Sequence, residues 1–133
     1  MKIELSKKAS EQMDLAANRA YPDECCGILL GKVDENAEKG YVEVLEAREA
    51  TNQIQGRRKK SHFEMDPLFL YQVEREIEGS GLEVIGIFHS HPDCKAVFSE
   101  EDIKYMVPGL VYTVLSVTKE GVIETCSSYR KNR

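Results

Sequence analysis

Apolar residues cluster in runs that alternate with amphipathic stretches. Residues 2–5 read as a short strand. Ser6 then caps a predicted helix reaching about Ala20, with Ala9, Met13, Ala16, Ala17 and Ala20 on one side. Tyr21-Pro22 ends it, and Cys25 to Gly31 is an apolar run suited to a central strand. A polar turn over 32–40 leads to a predicted strand from Tyr41 to Glu49, the hairpin partner of the preceding one. Residues 51–60 read as a loop and Ser61 to Met65 as a short strand. Asp66-Pro67 starts a helix running to about Gly79, which carries Leu68, Tyr71, Gln72, Arg75 and Glu78. Val84 to Phe88 is a second buried run. A helix opening at Ser99 carries Ile103, Met106 and Val107 before Pro108-Gly109 stops it. Leu110 to Val117 and Val122 to Ser128 close the chain as two strands around Lys119-Glu120-Gly121, with a polar tail from Tyr129. Helices and strands alternate first and strands pair locally later. The expected architecture is α/β: one domain over residues 1–133, with a mixed sheet flanked by helices.

The second buried run ends in His89-Ser90-His91-Pro92. Alternate strand residues point the same way, so His89 and His91 share a face and Ser90 takes the other. Asp102 arrives on the following element. Two imidazoles and a carboxylate make a three-ligand zinc set with one position left open, as a catalytic zinc requires. Each part also has a plainer reading. Histidines at a strand end can simply hydrogen-bond to neighbours, and Ser99-Glu100-Glu101-Asp102 is a capping box. The two roles of Asp102 are compatible, because a first-turn carboxylate can face a metal while the serine caps. Glu24, just before a buried strand, reads by itself as a solvated loop charge. Cys94, three residues after His91, makes His89, His91 and Cys94 a rival ligand set.

Composition narrows the partners. A net charge of −5 argues against nucleic acid. The first residues turn polar at once and no apolar run has spanning length, so the expectation is a soluble, cytoplasmic protein without a membrane partner. Cys25, Cys26, Cys94 and Cys126 show no Cys-x-x-Cys spacing and are expected as buried free thiols. The basic run Arg57 to Lys60 reads as a solvated loop, or as a contact for an acidic partner.

Glu24, then His89-Ser90-His91-Pro92, seven residues, Ser99, two residues and Asp102 resemble the JAMM signature of the MPN-domain metalloproteases. Pro22 to Gly27 and Phe88 resemble that family's flanking words. The resemblance implies an MPN fold, related to that of the cytidine deaminases. It also implies zinc held by His89, His91 and Asp102, with Glu24 as general base and Ser99 as oxyanion stabiliser. Its compactness is similar to the prokaryotic branch. There the implied activity is zinc-dependent hydrolysis of the amide after the C-terminal glycine of a ubiquitin-like or sulfur-carrier protein. Ser61 to Pro67 is similar to the sulfur-carrier processing relatives. A flexible substrate tail is expected along a sheet edge near the site. Neutral histidines are needed as ligands, so metal affinity and activity are expected to fall in mild acid.

Rival classes are separable. A non-catalytic MPN scaffold binding ubiquitin-like proteins needs no ligands. A zinc deaminase needs His-x-Glu with Pro-Cys-x-x-Cys, which is missing from this sequence. A structural zinc module favours four protein ligands.

Overall fold

The structure, a computed structural model, describes residues 2–36 and 40–130. One six-stranded sheet runs in the order β1-β3-β2-β4-β5-β6. The strands are β1 (Lys2–Leu5), β2 (Cys26–Asp34), β3 (Tyr41–Ala50), β4 (Glu83–Pro92), β5 (Val111–Thr118) and β6 (Gly121–Tyr129). β1 pairs with β3 and β4 with β5 in parallel, and the other neighbours are antiparallel. The sheet is therefore mixed, as expected.

Helix α1 (Lys7–Ala20) buries Ala9, Met13, Ala16 and Ala17, a stripe at helical spacing, against one face of the sheet. Ser6 caps it by accepting the Ala9 N–H at 3.0 Å, and its own hydroxyl donates to the Leu45 carbonyl at 2.9 Å. The core on this side includes Leu29, Val42, Val44, Phe88 and Leu115. Gly27 is required here: a Cβ would sit 2.3 Å from both the Phe88 ring and the Arg48 carbonyl. Helix α2 (Pro67–Glu76) covers a smaller cluster on Ile28 and Leu30. Helix α3 (Glu100–Lys104) is one short turn beyond the end of β4.

Several expectations are corrected. Ser61 to Met65 is not a strand. The peptide groups a ladder would use are already engaged: the Asn52 side chain takes the His62 carbonyl and the Glu64 N–H, and the Gln53 N–H takes the Glu64 carbonyl. The 51–60 segment ends in a 3-10 helical turn, Gly56–Lys60. α2 stops before Gly79, and its buried side is Val73, followed by Ile77, while Leu68 and Tyr71 face outward. α3 stops before Met106 and Val107. β2 runs on to Asp34, so the polar turn is shorter than 32–40, and residues 37–39 of it lie outside the described residues. Tyr129 belongs to β6, and residues 131–133 of the expected tail also lie outside. Cys25 and Cys26 are buried, but Cys94 and Cys126 are exposed, because they stand in the loop after β4 and on an edge strand. No described helix is long and apolar enough to cross a membrane.

Candidate metal centre

β4 lies inside the sheet, with His89 opposite Cys26 of β2 and Val114 of β5. Its pleat separates the two kinds of side chain. Ser90 is fully buried on the α1 side, where its hydroxyl accepts the Cys25 N–H at 2.8 Å and its N–H donates to the Cys25 carbonyl at 3.1 Å. His89 and His91 face the other way.

Asp102 meets them from α3. The Ser99 hydroxyl accepts the Asp102 N–H at 3.0 Å, and the Ser99 N–H donates to Asp102 Oδ2 at 2.8 Å, a reciprocal capping box. The same Oδ2 lies 3.3 Å from His89 Nε2 and 3.3 Å from His91 Nε2, and the two Nε2 atoms are 3.1 Å apart. Capping and aiming are thus performed by one carboxylate. The His91 Nδ1 lies 3.2 Å from the Lys95 carbonyl, an acceptor for a proton on Nδ1 that would free Nε2 to act as a metal ligand.

This triangle fits a metal ion. Ligand atoms 2.0–2.1 Å from a tetrahedral zinc lie roughly 3.3–3.4 Å from one another, close to the edges seen. Three acceptor atoms at such separations also repel unless a cation or shared protons lie among them. Among the described residues, His89, His91 and Asp102 form the group able to hold an ion, and Cys94 is not part of it. Cys94 lines the same cavity, but its loop engages through the backbone, with its carbonyl accepting the Ser116 hydroxyl at 2.6 Å.

The electrostatics follow from the same contacts. Partial burial pushes the Asp102 carboxyl up. Hydrogen bonds from His89, His91 and the Ser99 backbone outweigh that and hold it well below the usual carboxylate range. His91 is raised, chiefly by its hydrogen bond with Asp102. Glu24 is 6% exposed, and burial pushes it up to about 8. It lines the cavity of about 750 Å³ that also holds His89, His91, Ser99 and Asp102. Glu24 is therefore not the solvated loop charge that its local sequence suggests. Burial likewise lifts the Cys25 and Cys26 thiols, to about 11 and about 12, so neither is a thiolate at neutral pH.

Two contributors had little or no signal in the sequence. Phe63 stacks on His89 with ring centroids 4.8 Å apart and planes 25° from parallel. Asn52, buried behind it, holds the loop that carries it. His62 stands at the cavity wall outside the donor triangle, with Nε2 3.7 Å from Glu101. Lys60, at the end of the basic run, also lines the cavity.

A mixed sheet that presents two strand histidines to a capping aspartate defines the class, and the chain belongs to the prokaryotic homologs of the JAB domain, whose family model matches residues 6–130. Among individual relatives, a desampylase of Pyrococcus furiosus is 39% identical over 83 residues, 62% of this chain and 51% of that protein. The chain thus spans about half the length of this curated relative. A protein of Desulfitobacterium hafniense solved in solution is 29% identical with a TM-score of 0.73, covering 97% of this chain and 91% of that one. One from Salinibacter ruber is 27% identical with a TM-score of 0.65, covering 97% and 81%. The MPN-type fold expected from the motif is the fold observed.

Proposed function

We propose that the protein is a zinc-dependent isopeptidase that hydrolyses the amide bond after the C-terminal glycine of a ubiquitin-like or sulfur-carrier protein. The observation that carries this reading is the donor triangle of 3.1–3.3 Å edges sharing its cavity with the buried Glu24. The similarity to a desampylase supports it. His89, His91 and Asp102 would hold the zinc. When bound, zinc acts as a Lewis acid that polarises a carbonyl and makes water nucleophilic near neutral pH.

The remaining work falls to side chains. Glu24, with its elevated pKa, holds a proton at neutral pH, and positive charge at the donor triangle lowers it again. It is therefore suited to accept a proton from water and return it to the leaving amine. Ser99 spends its oxygen lone pair on the Asp102 N–H and keeps its own O–H to donate to the developing oxyanion. The substrate tail needs a path from outside the sheet to these groups. The edges are β1 and β6, and β4 lies between β2 and β5. The cavity between Lys60–Phe63 and Val97–Tyr105 offers the path to the donors.

The test is incubation with carriers bearing an amino acid or a lysine conjugate at the terminal glycine, read by intact mass. Loss of the amine, stopped by chelator and restored by zinc, is expected. Cleavage that ignores chelator sinks the zinc assignment. Glu24→Gln separates catalyst from scaffold: a catalyst keeps zinc and loses cleavage, whereas a scaffold shows no cleavage to lose.

A further inference from the structure

Asn52 lies in the irregular segment after β3 and is 8% exposed. Its Nδ2 donates to the Glu24 carbonyl at 3.2 Å and to the His62 carbonyl at 3.0 Å. Its Oδ1 accepts the Ile54 and Glu64 N–H groups, each at 3.1 Å. An amide side chain offers two N–H donors and two lone pairs, so Asn52 is saturated. The His62 carbonyl and Glu64 N–H flank Phe63, the ring stacked on His89. The Glu24 N–H in turn donates to the Lys59 carbonyl at 2.8 Å. The sheet pairing of β2 begins only at Cys26. The backbone of Glu24 is thus hung on the 52–64 segment at its N–H and its carbonyl alike, two residues before the ladder takes over.

We infer that Asn52 is a positioning residue: it locks the Glu24 backbone and the Phe63 ring over His89 into one unit, so that proton carrier and ligand keep a fixed relation. The inference rests on the reading of Glu24 as the proton carrier. The chemistry demands asparagine. Aspartate keeps the acceptor for Ile54 and Glu64 but sets a carboxylate against two carbonyl oxygens. Serine is too short to span the gap. Glutamine adds a methylene to a buried slot.

The experiment is amide hydrogen exchange by NMR on the chelated full chain, paired with kinetics on the zinc-loaded protein. In the wild type, the Glu24 amide is expected to exchange with Ile54 and Glu64 as one opening unit, apart from the β2–β4 ladder. In Asn52→Asp, protection at Glu24 is expected to fall about tenfold or more while the ladder is unchanged. Zinc content stays the same, kcat falls about 10–100-fold, and KM stays within about twofold, as for a lost supporting contact. Asn52→Ser repeats the test with a smaller side chain. Loss of protection at Ile54 and Glu64 with Glu24 unaffected would show a loop pin only and overturn the inference. Should both variants fail to fold, the wild type decides alone: Glu24 exchanging with the ladder rather than with the loop overturns it. Failure of the zinc-loaded wild type to cleave any carrier counts against the isopeptidase reading and leaves the exchange result to judge the coupling.

Discussion

The two faces of β4 obey different rules. On the α1 face, Phe88 and Ser90 are fully buried, and the Ser90 hydroxyl and N–H each meet a group of opposite character on Cys25. On the other face, His89 Nε2, His91 Nε2 and Asp102 Oδ2 crowd within 3.1–3.3 Å of one another, in one cavity with a carboxyl whose pKa burial raises to about 8. Successive residues of one strand thus pass between a face built for stability and a face that folding alone does not favour. Local conflict of this kind, inside an otherwise consistent fold, marks a site kept for its chemistry.

The largest effects break the open face. Asp102→Ala is expected to abolish zinc binding in a metal titration and reduce cleavage to background, beyond the roughly 10²–10⁴-fold that loss of a general base alone costs. Zinc bound normally by Asp102→Ala would remove the triangle as the metal site. Glu24→Gln is expected to keep stoichiometric zinc and lose about 10²–10⁴-fold in kcat.

Glu24 is also expected to make the metal-free protein less stable as pH rises. Its pKa rises from an ordinary 4.5 to about 8 on folding. The folded state therefore binds the extra proton. The stability this confers is complete below pH 4.5 and is lost as pH rises through about 8, on the order of a few kcal/mol. His91, raised above 6.5 mainly by Asp102, acts in the same sense. Asp102, held low, contributes stability that is lost only in strong acid, as pH falls through its depressed value. Urea melts of chelated protein should therefore show stability falling from pH 5 to pH 8, and Glu24→Gln should flatten the curve. With zinc the slope reverses, because the ligands must shed protons to bind. A flat wild-type curve would mean that Glu24 is not desolvated.

Much of this site was legible because its spacing is local. Strand alternation puts His89 and His91 on one face and Ser90 on the other, and the capping box fixes Asp102 relative to Ser99. The Ser6 cap and the pairing of β2 with β3 follow from similarly short-range patterns, whereas β1 beside β3 and β2 beside β4 join strands that are not consecutive and had no such signal. Asn52 and Phe63 were not legible, because their roles arise from bonds across an irregular segment with no period. The same bonds explain the misread strand at Ser61–Met65, where a side chain took the peptide groups that a neighbouring strand would have used. Burial of Glu24 was equally hidden, since its cover comes from residues far along the chain.

The closed face is tested by Ser90→Ala. It leaves the buried Cys25 N–H without its 2.8 Å partner, at a cost of about 1–3 kcal/mol in denaturant melts. Zinc stoichiometry should hold, because the donors lie on the other side. Glu24→Gln at pH 8, by contrast, should raise the stability of the chelated protein. Opposite signs from substitutions on either side of one strand would sharpen the distinction, and equal signs would erase it.

The smallest expected effect comes from Cys94→Ala, and its smallness is informative. Cys94 is exposed and lies in the same cavity, close enough in sequence to His91 to compete with Asp102 as third ligand. Its part in the loop is played by its backbone: the carbonyl accepts the Ser116 hydroxyl, and the N–H points to the His91 carbonyl at 3.4 Å. Alanine keeps both. Stability should stay within about 0.5 kcal/mol of wild type, as for an ordinary surface change. Zinc content and kcat should each stay within about twofold, the range of a kinetically neutral substitution. Zinc lost from Cys94→Ala but kept by Asp102→Ala would move the metal to the thiolate and turn the capping carboxylate back into a cap.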